Sequence, residues 1–158
     1  MPAMSRSSRA LALCVFAAIA ALGVAPGLAQ PAADGKAAAE PVLRQLDAFR
    51  RNDYDTAYTF ASAEIHSVFT REAFERMVKT GYPEIADSTR AHVASTRAEP
   101  NGRVYLVLKI RGANGQHVEA VYEMVHEAGA WKINGVVARP DPGEEASARA
   151  VRRGAAAP

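Results

Sequence analysis

The chain has 158 residues, of which 49% are hydrophobic and 23% are charged, and its formal net charge at pH 7 is +2. This length suits one domain with one core. The single cysteine, Cys14, excludes a disulfide within the chain, and the sequence shows no internal repeat.

Residues 1–29 have the three-part order of a secretory signal peptide. Met1–Arg9 carries two positive charges and no acid, and Ala10–Val24 is an uninterrupted apolar run of 15 residues. Small residues then precede a predicted cleavage site between Ala29 and Gln30. The apolar run is shorter than the roughly 20 residues of a membrane-spanning helix, so we predict cleavage without a stable membrane anchor. The mature protein is therefore predicted to be periplasmic or secreted.

Cleavage at this site would also change the charge of the protein. The segment removed contains Arg6 and Arg9 but no acidic residue, so the mature chain would be formally neutral. Because affinity for nucleic acids depends on neutralising phosphate charges, we do not expect DNA or RNA as a partner. Cys14 would leave with the same segment, which also excludes disulfides between mature chains.

Both ends of the mature chain have a composition that does not favour a core. Residues 30–39 and 140–158 are rich in Ala, Pro and Gly and lack large apolar side chains. Burial of such segments offsets little of the entropy lost on ordering. We therefore predict a flexible linker over 30–39, a single folded domain over 40–139 and a flexible tail over 140–158.

The first two predicted helices lie at the start of this domain. The first is predicted to have Pro41 in its first turn and to end near Asn52, because apolar residues recur there at helical spacing. The second, shorter helix is predicted to begin at Asp55, a residue type that caps helices, with Tyr58 and Ile65 on one side.

The third predicted helix has the clearest signals for its start and its end. Thr70 is placed to cap it, and Phe69 and Phe74 occupy the two positions of a hydrophobic staple. Gly81 is predicted to end this helix as the first residue beyond it, and Pro83 prevents its continuation.

After Pro83 the apolar residues alternate, which predicts strands. Placing the apolar faces of the second and third strands together pairs Leu108 with Ala120 and sets Lys109 near Glu119. Helices followed by a run of strands predict an α+β fold, with three amino-terminal helices packed on a curved antiparallel sheet of about four strands. The predicted strands are Arg90–Ala98, Arg103–Arg111, Gln116–Glu127 and Ala130–Val137.

This order of elements, ending in Trp131-Lys132-Ile133-Asn134-Gly135-Val136, resembles the nuclear-transport-factor-2-like superfamily of cone-shaped folds. Four segments resemble more narrowly an exported bacterial family known as domain of unknown function 4864. The resemblance covers roughly residues 40–137. It implies a pocket between helices and sheet, and it transfers no functional residues because the family has no assigned activity. The four segments are Gln45–Phe49, Ala57–Ser62, Phe74–Pro83 and Trp131–Ile133.

A ligand of such a fold would lie between the helices and the sheet. The sequence contains no nucleophile elbow, no glycine-rich phosphate loop and no paired histidines at metal-ligand spacing. We therefore expect a non-enzymatic module that binds a small apolar ligand or a protein partner, with no catalytic residue, metal or cofactor. The residues predicted to line its pocket are Tyr58, Tyr82, His92, Tyr105 and Tyr122.

Two further hypotheses concern catalysis and association. The alternative function is a small pocket enzyme of hydrolase or lyase type, in which His92 or His66 acts as the base. A homodimer is also predicted, because one face of the sheet carries apolar residues that would otherwise remain in water. These residues are Tyr105, Val107, Val121 and Val125.

Overall fold

The computed structural model describes residues 31–155 of the chain. The predicted signal peptide and its cleavage site between Ala29 and Gln30 lie outside these residues, so export stays a prediction. Within 31–155, no helix combines the length and the apolar character needed to cross a membrane. The elements are α1 (Pro31–Arg50), α2 (Tyr54–Thr59), α3 (Ala63–Val68), α4 (Arg71–Gly81), α5 (Pro83–Ala86), β1 (Ser88–Ala98), β2 (Val104–Gly112), β3 (His117–Glu127), β4 (Ala130–Pro140) and α6 (Pro142–Ala155).

The first helix begins earlier than the sequence indicated. Residues 31–39, which fall in the predicted linker, continue α1 towards the amino terminus, and Pro41 lies inside the helix. Ala38 is fully buried in the core. A Cβ atom at Gly35 would lie only 2.6 Å from Cγ2 of Thr96 on β1. Small residues therefore let this end of α1 pack closely against the sheet, and alanine favours the helix itself.

The second predicted helix is two helices. Asp53, and not Asp55, caps α2, and Ser62 caps α3 by accepting a hydrogen bond from a backbone N–H in the first turn. Between the two helices the chain pairs with β4: the Ser62 N–H donates to the carbonyl of Ile133 over 2.8 Å, and the Ile133 N–H donates to Phe60 over 2.9 Å. These bonds with the sheet interrupt the helix.

The third predicted helix is α4, and its start is confirmed. The hydroxyl of Thr70 accepts a hydrogen bond from the backbone N–H of Ala73. Its end differs in detail, because Gly81 is the last helical residue and Tyr82 is the cap. Pro83 then opens α5, a single turn that the sequence did not indicate.

The sheet is an antiparallel meander in the order β1-β2-β3-β4, as predicted. Leu108 pairs with Ala120, and Lys109 lies opposite Glu119 with 3.0 Å between their charged atoms, so the predicted register is confirmed. The apolar face of β2 and β3 packs against α1, and together they form the core of an α+β fold. The buried residues of this face are Val104, Leu106, Leu108, Ile110, Val118, Ala120, Tyr122 and Met124.

An irregularity in β4 changes which residues face the helices. Ile133 pairs with Met124 on β3, whereas Gly135 pairs with the preceding residue of β3, so Asn134 is an extra residue in the ladder. Such a bulge shifts the alternation of side chains by one position. Ile133 and Val136 therefore both face the helices, although they are three residues apart.

The carboxy-terminal segment also differs from the predicted flexible tail over 140–158. Asp141 is largely buried and accepts a hydrogen bond from Nζ of Lys109 over 2.7 Å. Nδ1 of His117 lies 3.2 Å from the Glu144 carboxylate, and a helix, α6, follows. The structured chain extends past residue 139 because these polar contacts connect the start of α6 to the sheet.

Candidate functional site

A cavity of about 280 Å³ lies between the sheet and helices α1, α3 and α4. Helical spacing supplies its first wall, since Gln45 and Phe49 are one turn apart in α1, as are Phe74 and Val78 in α4. The sheet forms the second wall, and the bulge in β4 brings Ile133 and Val136 into it. The remaining residues that line the cavity are Ala61, Ile65, Phe69, Met77, Tyr82, Ile85, Tyr122 and Gly135.

The size of the cavity suits a small molecule. Ala61 and Gly135 have little or no side chain, which leaves space between the larger apolar residues. An apolar cavity of roughly 150 Å³ is already enough for benzene. The volume here is close to the lower end of the range of roughly 300–1,000 Å³ that is typical of ligand pockets. The space is therefore suited to a ligand larger than benzene but smaller than a typical drug.

Tyr122 provides the unusual polar group of this cavity. Its side chain, on β3, is only 1% exposed, and its hydroxyl has no hydrogen-bond partner among the described residues. Burial raises the pKa of the Tyr122 phenol above its ordinary value, and the neighbouring Tyr82 raises it further. The hydroxyl therefore keeps its proton at neutral pH and is an unpaired buried donor.

The other two polar side chains of the wall are already bonded. The hydroxyl of Tyr82 donates to the backbone carbonyl of Val136 over 3.2 Å. The amide nitrogen of Gln45 donates to the backbone carbonyl of Ala57 over 3.0 Å, which joins α1 to α2. These two bonds hold the wall together, whereas the buried hydroxyl of Tyr122 has no partner among the described residues.

The structure brings together two of the five predicted pocket residues, Tyr82 and Tyr122. Tyr58 lies behind the wall, with its hydroxyl donating to the backbone carbonyl of Phe69 and its ring 5.3 Å from that of Phe74. Tyr58 therefore supports the shape of the cavity without lining it.

The remaining two candidates lie elsewhere. His92 is exposed on β1, opposite Lys109. Tyr105 is on the outer face of the sheet, where the Arg97 guanidinium lies 5.5 Å from the centre of its ring. Side chains alternate along a strand, so Tyr105 must lie on the outer face when Leu106 lies on the inner face. The strand pattern therefore already indicated that Tyr105 does not line a pocket on the inner face.

Gln45 is the polar lining residue that sequence reasoning did not single out. It is buried in the first turns after Pro41, on the same side of α1 as Val42, Leu46 and Phe49. A glutamine on the apolar face of a helix was the available signal, because such a residue requires a buried partner.

The wall of the cavity is uncharged and mostly apolar. Among the described residues, none of those lining the cavity is a histidine or carries a charge. His66 is exposed on α3, where its Nε2 lies 2.8 Å from the backbone carbonyl of Tyr58. No three His, Cys, Asp or Glu side chains within 31–155 are grouped to hold a metal ion. The arrangement offers mainly apolar contact, with few polar groups in the wall.

The fold is that of the nuclear-transport-factor-2-like proteins. A protein of unknown function with this fold from Silicibacter pomeroyi matches with a TM-score of 0.50 and 16% identity, over 71% of this chain and 100% of that chain. Another from Shewanella baltica matches with a TM-score of 0.50 and 11% identity, over 72% of this chain and 98% of that chain. At these identities the likeness shows the fold alone, and it confirms the predicted fold class.

The assignment of the chain to a family rests on its sequence. Residues 32–146 match the family described as domain of unknown function (DUF4864), so the chain belongs to this family, as the four segments indicated. No curated protein matches the chain. The family match includes residues 32–39 and 140–146, in agreement with the packing of α1 and the anchored start of α6.

Proposed function

We propose that this domain binds a small, mostly apolar molecule in the cavity between the helices and the sheet. The observation that carries the proposal is the Tyr122 hydroxyl, a buried polar group in an apolar wall with no partner among the described residues. Native proteins pair nearly all buried polar groups, so an unpaired one points to a partner that binds there.

The surroundings of this hydroxyl support binding more than catalysis. A general base must lie within hydrogen-bond reach of the proton that it removes. His92 and His66, the bases of the alternative function, are both exposed and neither lines the cavity. Because burial raises the pKa of Tyr122, its phenolate is not available as a base at neutral pH either. The enzyme hypothesis therefore has no support from the cavity.

Titration with α-methylstyrene, a neutral hydrocarbon, tests the proposal by protein NMR. We expect saturable shifts at backbone amides of lining residues such as Met77 and Val78, and none on the outer face of the sheet. Replacing Val136 by Phe adds a ring to the wall and should abolish binding. Val137→Phe is the matched control, because Val137 is the next residue of β4 and is exposed on the opposite face. Absence of saturable shifts, or undiminished binding by Val136→Phe, contradicts the proposal.

We also propose that the protein is exported and binds its ligand outside the cytoplasm. The support is the sequence of residues 1–29, in which a positively charged start is followed by an apolar run and then by small residues. The intact mass of the protein recovered from the periplasm or medium tests this, and a chain that begins at Gln30 is expected. A recovered chain that still contains Cys14 would contradict cleavage at this site.

A further inference from the structure

We propose that the ligand of this cavity is an uncharged, mostly apolar molecule with one hydrogen-bond acceptor, for which a ketone is the simplest example. Its acceptor oxygen would receive the hydrogen bond that the Tyr122 hydroxyl lacks. This inference rests on the proposed function and adds the chemical class of the ligand to it.

The donors of the wall indicate where the acceptor belongs. The Tyr82 hydroxyl already donates to the Val136 carbonyl, and the Gln45 amide nitrogen already donates to the Ala57 carbonyl. Among the polar lining residues, Tyr122 is the one whose buried side-chain polar atom has no partner among the described residues. The pKa of Tyr122 is raised by burial, so its hydroxyl proton is present throughout the neutral range. A ligand without an acceptor would leave the donor unpaired.

The absence of charge from the wall indicates that the ligand is neutral. Neither lysine nor arginine is among the described residues that line the cavity, and no acid is either. A carboxylate or an ammonium group that left water for this site would have no ion to compensate its charge. One neutral hydrogen bond from Tyr122 does not replace the hydration of a full charge. Charged ligands of the same shape should therefore be rejected.

Three probes of nearly equal size and shape separate these properties. Acetophenone has the acceptor, α-methylstyrene replaces its carbonyl oxygen by a CH₂ group, and benzoate carries a charge. We expect acetophenone to bind roughly 2- to 10-fold more tightly than α-methylstyrene, the ratio that one net hydrogen bond provides. Benzoate should not bind. Dissociation constants from NMR titrations of the whole protein measure all three.

Replacing Tyr122 by Phe tests the donor itself. The preference for acetophenone over α-methylstyrene should disappear in Tyr122→Phe, because the hydroxyl proposed to donate to the ketone is then absent. Tyr105→Phe is the matched control, since it removes a tyrosine hydroxyl from the outer face of the same sheet and should keep the preference.

The outcomes distinguish this inference from the proposed function. If α-methylstyrene binds as tightly as acetophenone to the unaltered protein, or if Tyr122→Phe keeps the preference, the acceptor class is wrong while the cavity still binds. Tight binding of benzoate would overturn the neutral class. Failure of both neutral probes to bind would overturn the proposed function, and this inference with it.

Discussion

The two faces of the sheet use the same strands in different ways. On the inner face, residues such as Leu106 and Tyr122 are almost completely buried and border the core and the cavity. On the outer face, the alternating positions contain ion pairs, with Lys109 between Glu119 and Asp141. The inner face therefore obtains its stability from apolar burial, which also shapes the cavity, whereas the outer face remains partly accessible to water.

The largest expected effect is a difference in the free energy of unfolding between substitutions on the two faces of the sheet. Ile110 is 2% exposed on the inner face of β2, and the next residue, Arg111, is exposed on the other face. We expect Ile110→Ala to lower the free energy of unfolding by about 2–5 kcal/mol. Arg111→Ala should change it by no more than about 0.5 kcal/mol. Urea denaturation of both variants measures this, and equal losses would mean that the faces do not differ as described.

The next prediction concerns a row of valines across the outer face. Val107 pairs with Val121, which pairs with Val137, and Val137 is 69% exposed. We propose that a second copy of the chain covers this row, because ion pairs on its flank restrict the apolar contact to a defined strip. We expect Val137→Asp to convert a dimer into a monomer in sedimentation velocity at micromolar concentration.

A matched control for this prediction lies on another surface. Val68, on α3, is also 69% exposed but is remote from the strip in the fold. Val68→Asp should therefore leave the dimer intact. If the unaltered protein sediments as a monomer at every concentration, the valine row is not an interface between copies.

A smaller effect on stability should appear on acidification through the carboxylates of the outer face. The pKa of Glu119 is lowered by hydrogen bonds first from Arg139 and then from Lys109, and that of Asp141 by Lys109. Because these carboxylates bind protons less readily when folded, they stabilise the fold above their unfolded pKa values of about 4. This stabilisation is lost as the pH falls through the lowered values of the folded state.

The variant Lys109→Met removes the cation that Glu119 and Asp141 share. We expect the urea midpoint of this variant to fall less steeply than that of the unaltered protein between neutral pH and pH values below about 4. Lys36→Met, at an exposed position of α1, is the control and should keep the original slope. An unchanged slope in Lys109→Met would show that its ion pairs do not contribute to stability.

The sheet could be predicted in detail because its signals are local. Alternation along β2 and β3 sets the faces, and matching the apolar faces sets the register of Leu108 and Ala120. The bulge at Asn134 could not be predicted in this way, because it depends on the pairing of β4 with both β3 and the segment around Ala61. Because the bulge determines which residues of β4 line the cavity, the composition of the wall could not be predicted from the sequence.

The ends of the domain show why composition alone was not sufficient. Residues 31–39 lack large side chains, yet Ala38 is buried, because the close packing against β1 requires small residues. Asp141 likewise appears as a loop residue in sequence, and its role depends on Lys109, which is distant along the chain. Tyr82 and Tyr122, two of the predicted pocket residues, line the cavity, but the bond of Tyr82 to Val136 and the unpaired hydroxyl of Tyr122 depend on the folded structure.

The smallest expected effect concerns the two tyrosine hydroxyls of the cavity wall. Removing the unpartnered hydroxyl of Tyr122 removes a buried polar group that makes no protein bond. We therefore expect Tyr122→Phe to leave the free energy of unfolding unchanged or to raise it by up to about 1 kcal/mol. Tyr82→Phe removes the bond to the Val136 carbonyl and should lower it by about 0.5–1.5 kcal/mol. Urea denaturation without ligand measures both. A clear loss in Tyr122→Phe would mean that its hydroxyl already has a partner in the ligand-free protein, and the free donor on which the cavity's proposed chemistry depends would not exist.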